Sequence, residues 1–245
     1  MGAADGGDDE RPVHRVHVSE FLIGRFTVTC DEYARFVRDA GHPAPAVRAL
    51  PLVAAGGRDA LFKDLARPYV WARGHPPAGR GSHPVVLVTY DDAAAYCAWL
   101  SACLNRTVRL PTEAEWEKAA RGGADGQRYP SGNDVNAALG NFLVDPSTKP
   151  ERGTRATGTY PPNGYGLYDM SGNVWEWVSD WYGADYYLTG ETRDPVGPPT
   201  GSMRIVRGGS WVNGDVSMLR CAYRHPVPPD TYAHSIGFRI VCTKA

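Results

Sequence analysis

Thiols and imidazoles offer the most reactive chemistry in this chain, and their spacing limits it. The five cysteines stand at positions 30, 97, 103, 221 and 242. They form no Cys-x-x-Cys, so the spacing of a zinc knuckle is absent. An odd count leaves at least one thiol unpaired within a monomer. His14 and His17 lie in an alternating stretch that places them on opposite faces of a strand. His225 and His234 have no carboxylate beside them, the pattern of surface histidines. Ser210 follows Gly208-Gly209 and reads as part of a tight turn. Trp116, Trp175, Trp177, Trp181 and Trp211 suit carbohydrate stacking. A chain poor in regular structure needs such side chains in its core, however, and only Trp211 is expected to be partly exposed.

The stretch from Arg207 to Arg239 mixes two kinds of residue. One kind is what a framework needs: glycines for turns, apolar strand positions, and arginines to clamp carboxylates or carbonyls. Between these anchors stand heterogeneous residues of the sort a recognition loop carries: Trp211, Val212, Asn213, Asp215, Ser217, His225, Val227, Thr231, Tyr232 and His234. This segment, 207–239, is the candidate ligand-binding surface.

Positioning such a segment requires a framework, and 245 residues are enough for one large irregular domain. Lys plus Arg number 26 and Asp plus Glu 27, which provides no basic surface for nucleic acid or a charged membrane. No apolar run is long enough to span a bilayer. Met1-Gly2-Ala3-Ala4-Asp5 is not a signal peptide, so cytoplasm is the default expectation. Asp5, Asp8, Asp9 and Glu10 read as a solvated acidic tail. Abundant Gly (28) and Pro (20), interspersed with Trp and Tyr, point to ordered loops.

Val13–Phe26 reads as two short strands. Helices start at Thr29, Thr89 and Thr112, each with a partner for a capping box at Glu32, Asp92 and Glu115. Residues 42–84 show no period and read as loop up to a buried strand at His83–Tyr90. Further strands are expected at Thr107–Leu110, Val174–Asp180, Met203–Arg207, near Leu219–Tyr223 and at Ile236–Cys242. The sum is one α+β domain spanning 1–245.

Several long motifs occur in order: LPTEAEWEKAARGG (Leu110–Gly123), PPNGYGLYDMSGNVWEWVSDW (Pro161–Trp181), RGGSW (Arg207–Trp211), LRCAYR (Leu219–Arg224) and IGFRIV (Ile236–Val241). Together they resemble the formylglycine-generating enzyme family, the sulfatase-modifying factor domains. The resemblance implies a C-type-lectin-like fold with small antiparallel sheets, two or three helices and much ordered coil. It also implies a copper-binding Cys-x4-Cys pair after the Gly-Gly-Ser signature, since soft thiolates favour Cu(I). Here the first position holds Asn213. The second is Met218 or falls in a gap, because the segment is two residues shorter. No copper is expected.

The implied function is therefore ligand binding, of a protein or other macromolecule, through the C-terminal surface. The alternative is an oxidoreductase of the family with altered metal ligands. The segment is also similar to the variable proteins of diversity-generating retroelements, a likeness that makes surface display or virion association a further option. A family calcium loop matches Asp169, Met170, Gly172, Val174 and Glu176, all oxygen donors. A second family site starts at Asn141, with its expected acid near Asp145 or Lys149. Cys97 and Cys242 match the region of a family disulfide.

Overall fold

Three threonines decide where the main helices begin. The structure, a computed structural model, describes residues 1–48, 59–143 and 153–243, with side chains from 62 in the second stretch. Thr29, Thr89 and Thr112 each accept a hydrogen bond from the amide three residues on. In return the Glu32, Asp92 and Glu115 carboxylates each accept one from the amide of the cap. The helices are α1 (Cys30–Ala40), α2 (Asp59–Ala66), α3 (Tyr90–Leu104), α4 (Glu113–Arg121) and the single turn α5 (Tyr186–Thr189). That makes five among the described residues, not two or three. Gly41 and Gly122 end α1 and α4 in the left-handed conformation that glycine adopts without cost.

The strands are β1 (Phe21–Ile23), β2 (Val108–Arg109), β3 (Trp175–Trp181), β4 (Arg204–Arg207), β5 (His225–Val227), β6 (Ile236–Phe238) and β7 (Val241–Thr243). One sheet has the order β1-β7-β2 and is antiparallel. The other has the order β5-β4-β3-β6, with β3 and β6 parallel, so it is mixed and not wholly antiparallel.

Strand β3 explains the alternation of its sequence. Trp175 and Trp177 enter one core with Tyr33, Phe36, Tyr96 and Phe238. Val178 enters a second with Trp116, Ala119, Leu167 and Ile205. Each face of the strand has a core to fill.

Several expectations are corrected. Within Val13–Phe26 only Phe21–Ile23 is a strand, and His17 makes a lone bridge to Arg193. At His83–Tyr90 the run Val85–Val88 is buried as expected but forms no ladder. Val85 N–H bonds to the Val28 carbonyl, Leu87 N–H to that of Ala233, and Leu87 turns the chain with φ 62°. Leu219–Tyr223 is not a strand: a 3-10 turn covers Val216–Leu219 and the strand begins at His225. Ile236–Cys242 divides into β6 and β7, which belong to different sheets. The 42–84 stretch contains α2 and a 3-10 turn, Arg67–Tyr69. The acidic N-terminus is no solvated tail at its end, because Glu10 is buried and clamped by both terminal nitrogens of Arg220, at 2.6 and 2.7 Å.

Candidate functional site

The anchors of the 207–239 segment clamp buried acids. Arg207, wholly buried on β4, donates to Glu113 (3.2 Å) and Glu117 (2.9 Å) of α4 and to the carbonyls of Cys221 and Ala222. Arg224 holds both oxygens of Glu113 (2.8 and 3.0 Å). Arg239 holds both oxygens of Glu176 (2.6 and 2.8 Å) and the carbonyls of Gly24 and Tyr168. These forks match carboxylates in the planar geometry that lysine cannot supply. Beside them, burial and the nearby Glu113 push the Asp180 carboxyl up to about 7.

Within this frame lies the segment that follows Gly208-Gly209. The Ser210 amide and hydroxyl both donate to Asn213 Oδ1, at 2.8 and 2.7 Å. The Asn213 side-chain nitrogen donates to Met218 Sδ at 3.0 Å. The two positions singled out as stand-ins for a cysteine pair are therefore in contact. The Asn213 amide bridges Ser210 to a thioether and closes the turn.

The five cysteines are all free thiols. Burial pushes Cys30, Cys97 and Cys221 up to about 12, so they stay protonated at neutral pH. Cys242 is half-buried on β7, at the margin of the core that holds Cys97.

The ten candidate binding residues divide by depth. Asp215 is exposed, and Val212, Asn213, Ser217 and His225 are half-buried. Trp211, Val227, Thr231, Tyr232 and His234 are buried. The expectation that Trp211 is partly exposed is corrected: it is 5 % exposed, and its indole N–H donates to the His234 carbonyl. His225 lies flat on Trp175, ring centres 4.9 Å apart. Trp211, Val212 and Tyr232 pack in one apolar cluster with Ala66, Tyr69, Val86, Leu87, Phe62 and Leu65. The cover over this face, α2 and the turn after it, escaped the sequence reading. Residues 42–84 lack a period, and an eight-residue helix leaves little signal. His234 is the most isolated: burial pulls its pKa down to about 4, and its Nδ1 has no hydrogen-bond partner.

The loop 169–176 offers oxygen donors. Asp169 is buried at a left-handed φ of 57°. Its Oδ2 accepts from the Gly158 amide, and its Oδ1 is buried without a partner. Among the described residues the carbonyls of Met170, Ser171, Gly172 and Val174 accept no main-chain hydrogen bond, whereas that of Asn173 accepts from Trp211. Burial, chiefly, and then the neighbouring Glu176 hold the Asp169 carboxyl above its ordinary range, against the opposing Gly158 hydrogen bond. A carboxylate oxygen without a partner beside free carbonyls fits a hard cation. Glu176 fits less well, because Arg239 and the Trp116 indole N–H already share its carboxylate. Asn141 is turned to Asn173 and the Gly153 carbonyl, while Asp145 and Lys149 lie outside the described residues.

Residues 1–244 match the family described as sulfatase-modifying factor enzyme 1-like domain. The chain belongs to that family. It is 38% identical to a formylglycine-generating enzyme of Streptomyces coelicolor over 271 residues, covering 98% of this chain and 84% of that one. Among solved structures it is similar to Treponema denticola variable protein 1, with 28% identity, a TM-score of 0.74 and coverage of 99% and 91%. It is also similar to PvdO from Pseudomonas aeruginosa, with 26% identity, a TM-score of 0.76 and coverage of 100% and 90%. The match to the sulfatase-modifying factor domain thus spans nearly the whole chain. No helix among the described residues is long and apolar enough to cross a membrane.

Proposed function

We propose that this member of the family is a non-catalytic ligand-binding domain whose C-terminal segment recognises a protein or other macromolecule. The observation that carries the proposal is the Asn213 side chain. Where the resemblance implies the first copper-binding thiolate, an amide is engaged by Ser210 on one side and Met218 on the other. A neutral amide and a single thioether do not replace two soft anionic sulfurs. The remaining buried thiols are held protonated and belong to the cores. Similarity to a variable protein along nearly the whole chain supports the recognition reading.

The test is to load the protein with Cu(I) under oxygen, add a sulfatase-motif peptide and search for the aldehyde by mass spectrometry. No aldehyde is expected, and its formation would establish the oxidoreductase alternative. Whether the segment is diversified is a question for the neighbouring DNA. A reverse-transcriptase gene and a near-copy of the last hundred or so bases of the coding sequence would accompany a diversified segment. Their absence leaves a binder of fixed sequence.

We further propose a structural calcium ion held by Asp169 and the carbonyls of Met170, Gly172 and Val174. The unpartnered Asp169 Oδ1 supports it. Such an ion would brace a loop with little regular structure, where β3 begins.

A further inference from the structure

The face of the C-terminal segment that holds Trp211, Tyr232 and His234 is covered from within the chain. Phe62 of α2 lies flat over His234, ring centres 5.9 Å apart at 25°, and edge-on to Tyr232 at 6.0 Å. Leu65 and Ala66 complete the contact. Three properties distinguish α2 from an ordinary core helix. It has eight residues, too few to be stable alone. Among the described residues, 62–66 make no hydrogen bond to the body of the domain, and the one side-chain bond is Asp64 with neighbouring Arg67. The surface that α2 covers retains two buried polar atoms without a hydrogen-bond partner, His234 Nδ1 and Tyr232 Oη, and His234 is 7 % exposed. Leaving such atoms buried and unpaired is unfavourable, and an occupant with a suitable polar group recovers that loss.

Resting on the binding reading above, we propose that α2 is a displaceable cover over a recognition pocket floored by Trp211, Tyr232 and His234. Its occupant is a tryptophan side chain of a partner protein, a flat ring that bears an N–H donor. Phe62 fills the place of the apolar part and leaves the polar part unmet. The aromatic walls select a flat ring. The neutral imidazole selects an uncharged donor or acceptor, because a charged group would be stranded in a dry site.

Indole serves as the probe, followed through the His234 side-chain nitrogen resonances. Phe62→Ala should bind indole at least about tenfold more tightly than the unaltered protein, because the competent fraction rises when the cover is weakened. The Nδ1 resonance should move on binding. Toluene, which lacks the N–H, should leave Nδ1 unmoved. No indole binding by the variant, or binding that does not shift Nδ1, overturns the proposal. Should Phe62→Ala fail to fold, hydrogen exchange on the unaltered protein decides. Amides at 62–66 should exchange by local opening far faster than those of α3, and equal protection overturns the cover. A protein that forms no aldehyde yet keeps α2 as protected as α3 refutes the cover alone. One that forms aldehyde refutes the binding reading whatever α2 does.

Discussion

At the residue scale, two side chains do unexpected work. Asn213 stands where a metal-binding thiolate was to be sought, and its three hydrogen bonds make it a turn closure. His234 read as a surface histidine in the sequence, yet it is buried with its pKa pulled down from 6.5 to about 4. The sign of its pH effect follows from linkage. The unfolded chain takes up the proton first, so the stability present above pH 6.5 is lost as the pH falls through about 4. At 1.36 kcal/mol per pH unit, that one group amounts to roughly 3 kcal/mol. His234→Leu should therefore flatten the fall in urea-unfolding free energy between pH 6.5 and 4. An unchanged slope would show that His234 is hydrated and titrates normally.

At the element scale, the arginine clamps tie α4 to the C-terminal strands and turns. Arg207 on β4 and Arg224 just before β5 both close on Glu113, the first residue of α4. Removing that carboxylate leaves two buried guanidinium groups short of charge. Glu113→Ala should cost about 3–5 kcal/mol in chemical denaturation, against under 1 kcal/mol for an exposed acid such as Asp64. A loss near that of the exposed control would mean that water reaches the clamp.

The elements also show what could be read in advance and why the rest could not. The helix starts at Thr29, Thr89 and Thr112 were legible because a capping box is a local code, complete within four residues. The role of the arginines as clamps was legible from their type, but their partners were not, because Glu113 and Arg224 are 111 positions apart. Val85–Val88 carried the apolar run of a strand without a ladder, since hydrogen-bond partners are chosen by tertiary packing. The binding segment was legible as a span. The depth of its residues was not, because α2 covers Tyr232 and His234, in the cluster that holds Trp211, through contacts made only in the tertiary structure.

At the scale of the whole molecule, the described residues form two small sheets and five mostly short helices, and β3 divides the two largest cores. Much of the remainder is coil, which has to be held by side-chain clamps and, on the proposal above, by calcium. A ligand that binds only the folded state stabilises it by mass action. Adding excess chelator should therefore lower Tm by several degrees, and re-adding Ca²⁺ should restore it. Asp169→Asn should reduce the response. No shift with chelator, together with no metal by elemental analysis, would remove the ion from the account.

The central proposal is that the 207–239 segment keeps the family's scaffold while Asn213, and Met218 if the second position does not fall in the gap, stand where the resemblance implies copper ligands. Competition against a Cu(I)-specific chelator tests it most directly, comparing the unaltered protein with a variant carrying both Asn213→Cys and Met218→Cys. The account predicts that the unaltered protein takes no copper from the chelator. The double variant, whose two altered positions already touch, should take one equivalent. Uptake of an equivalent of Cu(I) by the unaltered protein would contradict it.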